Sequence, residues 1–127
     1  MEKYALISTP GLPFKTVPCD DMPSLEWLQK KVGGYIETFS ALGHIRDDLV
    51  MIVDEEGKFN DSSFNLFATA AARIFADGIF EDFLFGIAIL LKRGGTDGEA
   101  LCGLDRNEID SLLQKFKNGG ICCEQEK

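Results

Sequence analysis

Three carboxylates stand in a row at Asp54, Glu55 and Glu56, and the single histidine, His44, has Ser40 before it and Asp47 and Asp48 after it. These residue types could do acid–base or nucleophilic chemistry, so their spacing decides what they are worth. General acid–base work needs two carboxyl groups converging on one cleft from separate elements. Three consecutive acids running into Gly57 form a hairpin tip that turns its side chains to solvent. A calcium loop needs oxygen ligands at alternating positions, which Asp54 to Asp61 does not offer. A Ser-His-Asp triad needs three side chains brought together from different elements. Ser40, His44 and Asp47 crowd one short loop instead. Cys102 and His44 would make a thiol pair, but nothing in the order of residues brings them together. The four cysteines are Cys19, Cys102, Cys122 and Cys123. None forms the Cys-x-x-Cys pair of a closed zinc site, and the adjacent Cys122 and Cys123 point in different directions. Free thiols in a reducing compartment are the expectation. No catalytic residue, metal or cofactor is assigned.

Two glycine pairs invite a phosphate-loop reading. Gly33-Gly34 follows a helical pattern rather than a strand, and no Gly-Lys-Ser/Thr accompanies it. It reads as a helix stop running into a strand. Gly94-Gly95 follows an apolar run and reads as a turn, with an anion-binding nest as the alternative. Tyr35 and Glu37 fall on one side of an alternating segment, where they line a pocket or cover a sheet edge. The chain has ten phenylalanines, and four of them, Phe75, Phe80, Phe83 and Phe85, cluster in one segment. Most must be core. Phe80, beside Glu81 and Asp82 on a turn, is the candidate for an exposed aromatic contact.

The elements that position these residues follow from periodicity. Lys3 to Ser8 reads as a strand, and Phe14 to Val17 as a short second strand closed by Pro18. Leu25, Leu28 and Val32 share one helix face over Ser24 to Val32, with Gly33 as the C-terminal cap. Gly34 to Ser40 alternates as a strand. Tyr35, Glu37 and Phe39 lie on one side, and Ile36, Thr38 and Ser40 on the other. Leu42 to Asp48 is a loop. Leu49 to Val53 is a strand apolar on both faces, followed by the turn at Asp54 to Gly57 and a return at Lys58-Phe59. Asn65 caps a helix running to Phe75, with Leu66, Phe67, Ala70, Ala71, Ile74 and Phe75 as its stripe. Phe83 to Leu91 is a central strand, and Lys92 to Gly98 an exposed glycine-rich loop. Asp105 and Glu108 form a capping box, with Leu104 and Ile109 as its hydrophobic staple. Ile109, Leu112, Leu113 and Phe116 form the buried face of that last helix, which Asn118-Gly119-Gly120 ends.

The expected fold is therefore α+β: a single domain over residues 1–120, with a mobile tail at 121–127. A mixed or antiparallel sheet of about five strands carries three helices, mainly on one face. The formal net charge of −8 argues against direct nucleic-acid binding, which needs clustered Lys and Arg. It suits docking on a basic protein surface. No apolar run reaches the roughly 20 residues that span a bilayer. The first residues lack the basic and long apolar regions of a signal peptide. A cytoplasmic protein without membrane contact is expected.

The order of these elements, with a helix ending Val32-Gly33-Gly34 and a strand Tyr35-Ile36-Glu37, resembles an uncharacterised family, the 3846 family of domains of unknown function. The matching residues are Leu28, Gln29 and Val32 to Glu37, then Val53, Asp54, Glu55, Gly57 and Lys58, then Asn65, Ala68, Asp82 and Gly86. The likeness spans residues 3 to 117. Such domains tend to carry Leu-Pro-x-Asn before the second helix, where this chain reads Ser62-Ser63-Phe64-Asn65 without proline. The resemblance implies a setting in phages, mobile elements and Gram-positive gut bacteria, and it carries over no catalytic residue.

From that setting and the charge, the leading expectation is a non-enzymatic binding protein. It would antagonise a host defence nuclease, or its complex, by docking on a host protein with a basic surface, through Phe80, Glu81 and Asp82. The alternative is a protein that sequesters a small ligand, such as a nucleotide signal, with Tyr35, Glu37, Gly94 and Gly95. A minor hydrolase or transferase is the third reading.

Overall fold

In the computed structural model, the described residues are 2–39, 48–56, 63–75, 84–96, 98 and 100–121. The element order is β1 (Lys3–Ser8), β2 (Lys15–Cys19), α1 (Leu25–Val32), β3 (Ile36–Phe39), β4 (Leu49–Asp54), α2 (Leu66–Phe75), β5 (Ala88–Gly94), β6 (Ala100–Cys102) and α3 (Arg106–Asn118). The strands form one six-stranded sheet of order β2-β1-β5-β4-β3, with β6 also on β5. All of the strand pairings are antiparallel. The class is α+β, as the periodicity indicates, and the sheet has one strand more than expected.

Burial explains which strands are central. The first five residues of β4 are all buried, the pattern of a strand covered on both faces. One face carries Leu6, Leu49, Met51, Val53, Ala88 and Leu90, against Ala68 and Ala71 of α2 and Ile109, Leu112 and Phe116 of α3. Phe14 stacks on Phe116 with ring centroids 5.0 Å apart. The other face carries Ala5, Val50, Ile52, Ile89 and Leu91 against Leu28 and Val32 of α1. Helices thus cover both faces, two on one and one on the other. The expectation that they sit mainly on one face is corrected by α1, whose apolar positions match the alternate residues of β4 and β5.

Several boundaries differ from the pattern reading. β2 continues through Pro18, which stands opposite Tyr4. On an edge strand the missing N–H of proline costs no ladder bond. β5 begins at Ala88 rather than Phe83, because Gly86 takes φ 79° and turns the chain just before it. Phe85 forms instead an isolated bridge with Phe64. The glycine-rich loop is shorter than expected: Lys92, Arg93 and Gly94 pair with Cys102, Leu101 and Ala100. β6 then gives way to Leu104, which exchanges both backbone hydrogen bonds with Tyr4 at 2.8 Å. On α2, Leu66 is exposed while Ala68, Thr69, Ala71 and Ala72 are buried, so the stripe is rotated from the predicted one. Ile121 is buried and donates to Phe116 O at 2.8 Å. The packed chain therefore reaches one residue past the predicted end of the domain, into the first residue of the predicted tail.

Candidate functional site

The end of α1 and the start of β3 are built by the glycine pair. Gly33 takes φ 92° and closes the helix, its N–H donating to Gln29 O. That is the left-handed cap for which glycine is suited. The next residue, Gly34, passes close to the Asp54 carboxylate: a Cβ there would lie 3.5 Å from Oδ2. Asp54 itself accepts from the Glu56 backbone N–H at 2.9 Å. Its side chain thus shapes the turn that was expected of it. Across the hairpin, Glu55 N–H donates to Tyr35 O at 2.9 Å.

This pairing continues the β3–β4 register, in which Ile36 faces Asp54, Glu37 faces Val53 and Thr38 faces Ile52. Ile36 packs with the α1 cluster, and Val53 with the opposite one. Tyr35 and Glu37 therefore share the α2/α3 side of the sheet, and Ile36 and Thr38 share the α1 side, as the alternation indicates. β3 is an edge strand, and Glu37, Thr38, Glu55 and Glu56 are all exposed. Tyr35 is the most exposed large apolar or aromatic side chain among the described residues, at 71%. The corner is thus an open strand edge that starts with an aromatic ring bordered by carboxylates. The basic residues that precede Tyr35 most closely in sequence are Lys30 and Lys31, in the last turn of α1; Lys58, two residues after Glu56, lies outside the described residues. Lys31 Nζ is folded back 5.6 Å from the Trp27 ring centroid.

Gly94 and Gly95 are not part of this corner. Lys92 faces Leu49 at the beginning of β4, whereas Glu37 faces Val53 at its end. Six residues of strand separate Gly94 from the level of Glu37, roughly 20 Å at the usual rise. Tyr35 and Glu37 are brought together, and the glycine loop stands at the opposite end of the sheet. Gly95 has φ 79°, consistent with a turn. Phe80, Glu81 and Asp82 lie outside the described residues, as do His44, Gly57, Cys122 and Cys123. Among the described residues, no group of three His, Cys, Asp or Glu is placed to hold a metal ion. No helix among them is long and apolar enough to cross a membrane.

A second constellation is one that periodicity missed as a network, although Asn65 was expected as a cap. Asn65 Oδ1 accepts from Ala68 N–H at 2.9 Å and from Ser8 Oγ at 3.1 Å. Its Nδ2 donates to Ser8 O at 3.1 Å and to Gly86 O at 2.9 Å. Thr69 Oγ1 donates to Asn65 O at 2.8 Å and accepts from Leu84 N–H at 2.9 Å. Asn65, Ser8 and Thr69 are all buried. Such a set has no free donor aimed at a ligand: it ties β1, α2 and the approach to β5 together. The polar residues at 65 and 69, one helical turn apart inside an apolar run, were the signal in the sequence.

Cys19 is half-buried, and burial, with Asp20 and Asp21 beside it, pushes its thiol up to about 11. A thiol so raised is a poor nucleophile at neutral pH. It lies in a close-packed seam, since a Cβ on Gly103 would stand 3.0 Å from its Sγ.

No curated protein and no solved structure matches the chain. A family model does: the one described as a domain of unknown function (DUF3846) matches residues 1–117. With nearly the whole chain matched, including the Gly33-Gly34 cap, the Asp54 turn and the Asn65 network, this protein belongs to that family.

Proposed function

We propose that this protein is a non-enzymatic docking protein that binds a basic-surfaced protein partner through the corner formed by Tyr35, Glu37, Glu55 and Glu56. The observation that carries the reading is the 71% exposure of Tyr35, immediately before an edge strand bordered by acids. Aromatic side chains supply much of the energy of protein interfaces, and charges around them set encounter rate and partner choice. The net charge of −8 adds long-range attraction toward a cationic surface. In the phage or mobile-element setting that the family resemblance suggests, the partner is a nucleic-acid-binding surface of a host defence nuclease or its complex, which the protein antagonises inside the host cytoplasm. The aromatic anchor expected at Phe80 is replaced by Tyr35 in this reading.

The test is capture from host lysate on immobilised protein, with the retained partner identified and purified. A partner held at low salt, weakened at high salt and lost with Tyr35→Ala is the expected result. Truncation of such an anchor costs about 1–3 kcal/mol of binding. A partner retained equally by the Tyr35→Ala protein would overturn the assignment of the corner.

A further inference from the structure

The edge of β3 has its own chemistry. Glu55 N–H bonds to Tyr35 O, and in an antiparallel pair hydrogen-bonded and non-bonded positions alternate. Tyr35, Glu37 and Phe39 therefore turn their backbone groups inward to β4. Ile36 and Thr38 turn theirs outward, to the open side of the sheet. An edge that presents N–H and C=O groups is a template for one more strand. Proteins guard such edges with charged side chains, lysine above all, and with proline, bulges or covering elements; the one charge on β3 is Glu37. β3 carries the sequence Ile-Glu-Thr-Phe, with no lysine or proline. Glu37 and Thr38 point to opposite faces and both are exposed, so no element among the described residues covers either side of the strand there.

The two faces at this edge differ in charge. On one lie Glu37 and Glu55, with Tyr35. On the other, Asp54 stands opposite Ile36, and Arg93 Nη2 lies 3.4 Å from Thr38 Oγ1. A strand added beside β3 thus meets the exposed carboxylates of Glu37 and Glu55 on one face, and on the other the half-buried Asp54, already engaged by Glu56 N–H at 2.9 Å, together with the Arg93 guanidinium. A second copy of this chain is a poor occupant, because two-fold pairing centred on Glu37 sets it opposite its own copy, and like charges directly opposite on neighbouring strands repel.

We propose that the partner is taken by strand addition. An extended segment with Lys or Arg at alternate positions, and Thr or Val between them, pairs with Ile36 and Thr38 as a seventh strand and places its cations against Glu37 and Glu55. This rests on the docking reading above and gives it a mode of recognition.

The decisive variant is Thr38→Pro. Its lost N–H is one that faces outward, so β3 keeps its bonds to β4 while the added strand loses a donor. The probe is the acetylated, amidated peptide Thr-Lys-Val-Lys-Thr-Lys-Val, titrated into isotope-labelled protein. Strand addition predicts shifts and slowed hydrogen exchange at the Ile36 and Thr38 amides. It also predicts at least tenfold weaker binding with Thr38→Pro, and a similar loss with Glu37→Lys. A control peptide with Glu in place of Lys does not bind. Absence of binding, shifts confined to another surface, or equal affinity for Thr38→Pro overturns strand addition. Concentration-dependent dimerisation abolished by Thr38→Pro makes a second copy the occupant and overturns it too. The captured partner separates this failure from that of the broader reading. A partner lost with Tyr35→Ala but kept with Thr38→Pro means side-chain docking without an added strand, and a partner kept by both removes the corner altogether.

Discussion

Asn65 is 0% exposed, and its side chain makes four hydrogen bonds, two as donor and two as acceptor. As a helix cap alone, asparagine and aspartate are interchangeable. Here they are not, because Nδ2 serves the carbonyls of Ser8 and Gly86. Asn65→Asp places a carboxylate against those carbonyls, and we expect it to destabilise the protein by about 3 kcal/mol in urea unfolding, as much as Asn65→Ala. An Asp variant of native stability would show that only the cap matters. Cys19 makes a second prediction at this scale. Its thiol, held at about 11 by burial and by Asp20 and Asp21, has a thiolate fraction roughly a hundredfold below that of an ordinary cysteine near pH 8.5. Iodoacetamide should modify it that much more slowly in the native protein than in the urea-unfolded chain. The raised value means that folding holds the proton more tightly. The associated stability is complete below the ordinary cysteine value and is lost as pH rises toward 11. Equal native and unfolded rates would contradict the burial.

Two glycines at element junctions have different work, and alanine separates them. Gly33 has φ 92° and nothing within 4 Å of a would-be Cβ, so Gly33→Ala is charged only for its backbone conformation, about 1 kcal/mol. Gly103 has an unexceptional φ but no room: its Cβ would lie 2.7 Å from Lys3 Cβ and 3.0 Å from Asp20 O. Gly103→Ala must separate β6 from β1, at about 1–3 kcal/mol. Thermal melts of the two variants should rank Gly103→Ala as the more damaging, and the reverse order would mean the seam at β6 yields freely. The difference between these glycines also explains what the sequence made legible. Gly33 stands after a periodic helix, where a local rule applies. Gly103 owes its place to residues a hundred positions away, and no local pattern reports that. For the same reason the capping box at Asp105 and Glu108 was readable and is present, whereas the ion pair of Glu108 with Lys92 at 2.7 Å was not. β6 is three residues long, too short for alternation to register, and the apolar run from Phe83 concealed the turn at Gly86. The Tyr35/Glu37 face was legible because period-2 alternation is local. Its separation from Gly94 was not, since strand register joins segments far apart in the chain.

At the scale of the whole molecule, a central pair of strands, β4 and β5, is buried between α1 on one side and α2 with α3 on the other. That leaves the outer edges of the sheet as places where backbone meets solvent. β2 carries Lys15 and Pro18 on its edge, two of the devices that discourage pairing. β3 carries neither, and it begins beside Tyr35, the most exposed aromatic ring among the described residues. The asymmetry between the two edges favours β3 as the side that receives a partner. Leu66, at the start of α2, is another exposed apolar residue, at 59%, and serves as the comparison. The most direct measurement is the affinity of the captured, purified partner for wild-type protein, Tyr35→Ala and Leu66→Ala, with melting temperatures taken on the same samples. Docking at the β3 corner predicts tenfold or greater weakening for Tyr35→Ala, no change for Leu66→Ala, and melting temperatures that stay close to wild type. Unchanged affinity for Tyr35→Ala, or a loss seen with Leu66→Ala instead, would contradict it.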